Sequence, residues 1–273
     1  MSQEQIQTLL LAHHLTPNKL LGQNFMTDPS LYPKLCQYAN LTPTDTVLDI
    51  GAGFGFLTQF LSNKCQTVIA IEKDPQIASV LRKNTQTQTN ITVITGDILK
   101  TPIPKFNKII AIPPYYLSSK LVTWIIEQQN LISTVMIVQK EFAKRLTATV
   151  GNEQYSWLTV AVQQQTNPTL LELVPKDKFY PPPEVDSIIV CLNPWPTPPF
   201  EIKNRPLFIQ LLKALFSERN KKLSKALTPF LRNNLNLTKQ DAEKTAQALP
   251  FSERRPRELT PQDFGAILNA LPN

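Results

Sequence analysis

From residue 47 to residue 148, short apolar runs alternate with longer stretches in which apolar side chains return every three or four positions. The runs lie at 47–50, 67–71, 91–95, 108–112 and 134–138, and the helical period appears at 56–61, 75–83, 119–129 and 139–148. Strands alternating with helices predict an α/β fold whose parallel sheet is covered on both faces and joined by right-handed crossovers. Ahead of this region, 4–15 reads as a short amphipathic helix. Leu31 to Tyr38 reads as another, entered through Asp28-Pro29, a cap residue followed by a first-turn proline. Trp157 to Gln163, Leu170 to Val174 and Val185 to Leu192 show no long helical period, so they are expected to finish the sheet by antiparallel pairing. Asn193-Pro-Trp-Pro-Thr-Pro-Pro199 is proline-dense and reads as a linker. Beyond it, Leu207, Leu211, Leu212 and Leu215 mark one helix, and Leu223, Leu227 and Leu231 another. The expected domains are 1–194 and 195–273.

The first of these strands runs into Gly51, Gly53 and Gly55, so three of the seven glycines in 273 residues fall within five positions. A strand, a glycine turn and a helix let backbone approach a ligand at a strand's carboxyl end. Glu72 closes the next strand 21 residues after Gly51, near the spacing of an acid that accepts ribose hydroxyls. The loop is not that of a dinucleotide site: Phe56 stands where a third glycine would fall, and no phosphate-binding lysine follows. A nucleoside ligand without phosphates suits it better, and S-adenosylmethionine is the candidate. Asp97 would then accept from the adenine amino group while Ile98 packs on the ring.

Composition narrows the class further. With 42% hydrophobic and 18% charged residues, the chain reads as a globular protein, and no apolar run reaches the length of a membrane span. The start, Met1-Ser-Gln-Glu-Gln, lacks the basic opening of a signal peptide, so Leu9 to Leu11 reads as a helix face. Three scattered cysteines suggest free thiols in a reducing cytosol, and the adjacent His13 and His14 splay apart, so no metal site is expected. Charge is uneven: residues 195–273 hold 13 Lys+Arg against 7 Asp+Glu, whereas 1–194 hold 15 against 14. A basic segment joined to a nearly neutral one points to a polyanion such as nucleic acid. Arg219, Lys222 and Lys225 recur every third residue and are expected on one helix face, apart from the leucines.

Eight motifs then appear in order: Leu21-Gly-Gln-Asn-Phe, Asp49-Ile-Gly-Ala-Gly-Phe-Gly, Glu72-Lys-Asp, Gly96-Asp, Pro113-Pro-Tyr, Gln139-Lys-Glu-Phe-Ala-Lys-Arg-Leu, Phe179-Tyr-Pro-Pro-Pro-Glu-Val-Asp-Ser and Leu215-Phe-Ser-Glu-Arg-Asn-Lys-Lys-Leu. Through them the chain resembles, from about residue 18 to 232, the rRNA adenine N6,N6-dimethyltransferases of the small ribosomal subunit. The resemblance implies a class I S-adenosylmethionine-dependent methyltransferase sheet, Rossmann-like, with a small helical C-terminal domain that contacts rRNA. It implies two adjacent adenosines near the 3′ end of small-subunit rRNA as substrate, within a pre-ribosomal particle in the cytoplasm. Nothing in it demands an oligomer, so a monomer is expected. Gln23, Asn24, Met26, Gly51, Gly53, Glu72, Asp97, Ile98 and Ile112 are the expected cofactor residues. Ile112, Pro113, Pro114, Tyr115 and Phe179 are the expected catalytic set, with Tyr115 and Phe179 matching the residues that stack on the target base. Arg219, Lys221, Lys222 and Lys225 are the expected RNA contacts.

One position departs from the family. Ile112 stands where an Asn would accept a hydrogen bond from the target amine, which leaves the carbonyl of Pro113. Losing one preorganised hydrogen-bonding group lowers a rate by about 10²–10³. Three outcomes stay open: slow dimethylation through Pro113 alone, normal activity with another group supplying the contact, or an assembly factor that binds RNA without turnover. Methylation of large-subunit rRNA is a further reading, and the Leu215-to-Leu223 motif argues against it.

Overall fold

The computed structural model describes residues 3–272, leaving aside the side chain of Lys19. They fall into two compact units, one formed by residues up to 143 with 167–194, the other by 144–166 with 195–273. The sequence reading placed 144–166 in the first domain, whereas these residues fold with the second.

In the first unit, α1 (Gln3–Ala12) precedes the two-residue strand β1 (Phe25–Met26) and α2 (Leu31–Tyr38). The α/β alternation follows: β2 (Thr46–Ile50), α3 (Phe56–Ser62), β3 (Thr67–Glu72), α4 (Pro75–Thr85), β4 (Ile91–Thr95), β5 (Lys108–Ala111), α5 (Ser118–Ile125), β6 (Ser133–Gln139) and α6 (Lys140–Leu146). After the second unit's α7 (Trp157–Gln165) come β7 (Thr166–Val174), the short β8 (Phe179–Tyr180) and β9 (Ser187–Pro194). Seven strands form one sheet in the order β4-β3-β2-β5-β6-β9-β7. Strands β4 to β6 pair in parallel, and β9 runs antiparallel to β6, with Met136 opposite Val190. The parallel sheet and its antiparallel finish are those expected, and the apolar runs form strands because both faces are covered: Val47, Leu48, Ile69, Ile109, Ile110, Val135 and Ile137 are all buried. Outside this sheet, β1 and β8 form a separate two-stranded antiparallel sheet, with Phe25 opposite Tyr180 and Met26 opposite Phe179.

Two sequence expectations fail locally. Residues 157–165 form a helix, not a strand. Its Leu158, Thr159, Val160, Ala161, Val162 and Gln164 are all buried, so no polar face exists to reveal a helical period. Asp28 does not cap α2 directly; its carboxylate accepts from Ser30 N–H and Ser30 Oγ, in the turn before the helix.

At the amino ends of β2 and β5 lies a closed polar cluster. Lys108 Nζ sits 2.8 Å from Asp45 Oδ2, both side chains about 5% exposed. Asn107 donates to Asp45 Oδ1 at 2.8 Å, and Thr42 donates to Oδ2 through its backbone at 2.7 Å and its hydroxyl at 2.9 Å. Lys108 also donates to the Asn40 carbonyl.

The second unit contains α7, α8 (Arg205–Ser217), α9 (Leu223–Asn234), α10 (Lys239–Ala248) and α11 (Pro261–Asn269). Its core is aromatic: Tyr155, Phe208 and Phe264 are fully buried, and the Tyr155 hydroxyl donates to the Leu259 carbonyl at 2.9 Å. The basic residues do not lie as expected. Helix α8 ends at Ser217, Glu218 leaves the helical region (φ −120°), and Lys222 is extended (φ −56°, ψ 144°) before α9 begins. Leu223 and Ser224 N–H groups of α9 donate to the carbonyls of Arg254 and Ser252, which fixes the start of that helix. Arg219, Lys221 and Lys222 therefore occupy a loop, and only Lys225 is on a helix. Lys221 pairs with Glu218 at 2.9 Å, Lys222 pairs with Glu253, and Arg219 donates to the Glu153 carbonyl. Among the described residues, no helix is long and apolar enough to cross a membrane.

Candidate active site

Strand order reverses between β2 and β5, the place where open α/β sheets bind ligands beyond their carboxyl ends. The caps of four neighbouring strands meet there: 51–55 after β2, 72–74 at the end of β3, 96–98 after β4 and 112–116 after β5. Gly51 (φ +73°) and Gly53 (φ +57°) hold conformations that L side chains rarely adopt. A methyl group on Gly51 would lie 2.9 Å from Pro114 Cδ, so the glycine loop and the proline loop touch only because Gly51 has no side chain.

Glu72 is 9% exposed, and burial holds its carboxyl above the usual carboxylate range. Its Oε2 accepts from Gly53 N–H at 3.0 Å and its Oε1 from Asp74 N–H at 2.9 Å. Each oxygen keeps lone-pair capacity for another donor, the pattern a ribose diol requires. Behind the loop, Asp49 is fully buried and accepts from the Thr58 hydroxyl at 2.7 Å. Burial, with the Glu72 charge adding to it, pushes its carboxyl up to about 7 against the Thr58 hydrogen bond. Asp97 accepts from Leu99 N–H at 3.0 Å and pairs with Lys73 at 3.1 Å, contacts that hold its carboxyl below the usual range. Lys73 also stands 6.0 Å over the ring of Tyr116.

The segment 21–26 forms the remaining wall. Gln23 donates to Asp74 Oδ2 at 2.9 Å, which fastens the segment to the cap of α4, and accepts from Asn18 N–H at 2.8 Å, which closes the turn before it. Asn24 donates through Nδ2 to the Gly22 carbonyl at 3.2 Å. Met26 is buried. On the proline loop, the Tyr115 hydroxyl shares a 2.6 Å hydrogen bond with Ser187 Oγ, and burial pushes its pKa up to about 12. Phe179 meets that ring edge to face at 6.4 Å and is itself only 2% exposed.

Three cavities share these walls. The first is lined by Gln23, Asn24, Gly51, Gly53, Glu72, Ile112, Pro113, Pro114 and Tyr115. The second, deeper toward β2, adds Met26 and Asp49 to Asn24, Gly51, Gly53 and Ile112. The third lies between Glu72, Asp97, Ile98 and Pro114. The residues expected around a cofactor and the Ile112–Tyr115 loop thus come together. Phe179 does not reach these walls; as a buried partner of Tyr115 it offers no free face of its own. Sequence reasoning passed over Lys73, Tyr116 and Asp49. Lys73 and Asp49 lay inside quoted motifs, but nothing in the spacing gave either a partner. The donor set suits a nucleoside with a diol and an amino group: a shared-acceptor carboxylate at Glu72, a second acid at Asp97, and a glycine cradle that a Cβ at Gly51 would fill.

A family model for ribosomal RNA adenine dimethylases matches residues 15–250. The chain is 36% identical over 251 residues to a probable ribosomal RNA small subunit methyltransferase A of Methanosarcina acetivorans, covering 91% of each protein. It is 37% identical over 263 residues to a protein of the same description from Thermococcus kodakarensis, covering 95% of this chain and 92% of that one. Among solved structures, a dimethyladenosine transferase from Plasmodium falciparum superposes with a TM-score of 0.77 at 31% identity, covering 90% of this chain and 96% of the other. The 23S rRNA methyltransferase ErmE shares the fold, with a TM-score of 0.66 at 24% identity over 91% of this chain and 99% of its own. On the family match and these identities, the chain belongs to the ribosomal RNA adenine dimethylases, S-adenosylmethionine-dependent methyltransferases of class I fold.

Proposed function

We propose that this protein transfers methyl groups from S-adenosylmethionine to N6 of two adjacent adenosines near the 3′ end of small-subunit rRNA, as a monomer acting on a pre-ribosomal particle in the cytoplasm. The observation that carries the reading is the meeting of the four strand caps around one cleft, with Tyr115 at its front. Glu72 would hold the ribose, Asp97 and Ile98 the adenine, and the Gly51 and Gly53 backbone the centre of the donor, bordered by Gln23, Asn24 and Met26. Bound there, the donor supplies an electrophilic methyl: the N6 lone pair forms the new N–C bond, the C–S bond breaks toward sulfur, and an N6 proton passes to solvent water.

The chain's own residues do the rest. An everted base needs a flat surface, and Tyr115 supplies it, its ring steadied by Ser187 at the hydroxyl and by Phe179 at the edge. The Pro113 carbonyl, on the loop after β5, accepts from the amine as positive charge builds on nitrogen. In the second unit, Lys225 and the loop carrying Arg219, Lys221 and Lys222 would meet phosphates; binding would then weaken steeply with salt. Ile112 keeps a second reading in play, a factor that binds the particle without turnover.

Incubating purified protein with immature small subunits and labelled donor separates the readings. Four methyl groups per subunit are expected, two on each of the neighbouring adenosines. Donor binding without any transfer would leave the assembly factor, and label in large subunits instead would overturn the substrate assignment.

A further inference from the structure

Lys73 ties three strand caps together. It follows Glu72 directly, and its Nζ reaches the cap of β4 to pair with Asp97 Oδ2 at 3.1 Å. The same Nζ stands 6.0 Å over the ring of Tyr116, on the cap of β5. That ring also rests against the amino-terminal arm, where a methyl group on Gly22 would lie 3.2 Å from its Cδ1. Although held on two sides, Tyr116 is 52% exposed, and among the described residues it is the one aromatic side chain left so open to solvent. The first and third cavities share five residues, Gly51, Glu72, Lys73, Pro114 and Tyr116, so this ring stands where the two cavities join. In the third cavity Ile98 is 4% exposed and forms the inner side, while Tyr116 and the half-exposed Lys73 form the outer. A purine is flat and has two faces to cover, and an aliphatic side chain on one with an aromatic ring on the other covers both. The acid beside them stays usable: Asp97 Oδ1 accepts from Leu99 N–H and Oδ2 from Lys73, and each oxygen keeps a lone pair for the adenine amine.

We infer that Tyr116 is a donor-binding residue that closes the outer face of the adenosine pocket of S-adenosylmethionine, with Lys73 as the positioning residue that holds its ring. The inference deepens the proposed function and rests on its placing of the adenine beside Asp97 and Ile98. Gly51 and the buried Glu72 are then the floor under the ribose, and the ring and the ammonium of Lys73 are its outer wall. A bound donor would cover the face that Tyr116 now exposes to water.

Calorimetry of donor binding to the full-length protein, without RNA, tests it. Tyr116→Ala is expected to weaken S-adenosylmethionine about tenfold, and to weaken free adenosine, titrated as a competitor, by the same factor. Tyr116→Phe keeps the ring under the cation and is expected to bind within about twofold of wild type. Lys73→Met is expected to weaken the donor about threefold. Lys73→Arg, which can still pair with Asp97 and stack on the ring, is expected to recover that loss. Combining Tyr116→Ala with Lys73→Met should cost no more than Tyr116→Ala alone, because the lysine acts through the ring. Donor affinity unmoved by Tyr116→Ala, a Tyr116→Phe variant as weak as Tyr116→Ala, or a loss seen with the donor and not with adenosine overturns the inference. So does a loss of affinity for immature small subunits at an unchanged donor constant, which would put the ring on the RNA side. Because these constants need no turnover, a wild type that binds donor yet transfers no methyl removes the proposed transfer while the binding series still decides the role of Tyr116.

Discussion

The two ends of the neighbouring strands β2, β3 and β5 carry comparable polar groups and use them in opposite ways. At the amino ends, Asp45 is saturated: Lys108, Asn107 and Thr42 together occupy both its oxygens. At the carboxyl ends, the buried Glu72 receives backbone donors and no counter-charge, and Asp49 accepts from the Thr58 hydroxyl. The charges respond accordingly. Burial alone would raise Asp45, yet Lys108, Thr42 and Asn107 outweigh it and hold the carboxyl below the usual range; Glu72 and Asp49 are held above it. A buried acid whose needs are met stabilises its fold, and one left partly unmet stands ready for a ligand.

The sharpest way to break this contrast is at the closed end. Lys108→Met leaves Asp45 buried without its counter-charge and is expected to lower unfolding free energy by about 3–5 kcal/mol in a urea titration, with donor affinity unchanged. Asp45's share of stability is present at neutral pH and is lost as pH falls through its lowered folded value, below about 4. At the open end, Gly51→Ala places a side chain against Pro114 in a left-handed conformation. It is expected to cost about 1–2 kcal/mol of stability and to abolish donor binding by calorimetry. The smallest effect belongs to Asp49→Asn. A folded-state value near 7 means that the native protein binds more protons than the unfolded chain between about pH 4 and 7, so stability falls as pH rises through that window. Asparagine keeps the Thr58 contact and removes the penalty, so a melting curve against pH should flatten there. A variant as steep as the wild type would show that Asp49 does not titrate in that range.

The contrast also explains what the sequence made legible. Strands β2, β3, β5 and β6 announced themselves as apolar runs because both faces of the sheet are covered there, and the cleft's glycines and acids stood at the ends of the strand runs. Helix α7 was hidden for the same physical reason: buried almost all round, it carries no polar stripe. The basic segment looked helical by its three-residue spacing, but Glu218 and Lys222 break the helix there, with the start of α9 tied to residues 252 and 254. The hydrogen bonds of Asn24 and Gln23 had no sequence signal, since they join segments that are far apart in the chain or depend on the turn at Gly22.

The antiparallel pairing of Phe25 with Tyr180 and Met26 with Phe179 has a bearing on how the protein is made. A nascent chain can lay down β2, β3, β4 and β5 with their glycine turn before the partner of the amino-terminal arm has left the exit tunnel. Until residues 179 and 180 emerge, the arm that carries Asn24 lacks its strand partner and is held by contacts to earlier segments, such as Gln23 with Asp74 and Phe25 stacked on Phe54.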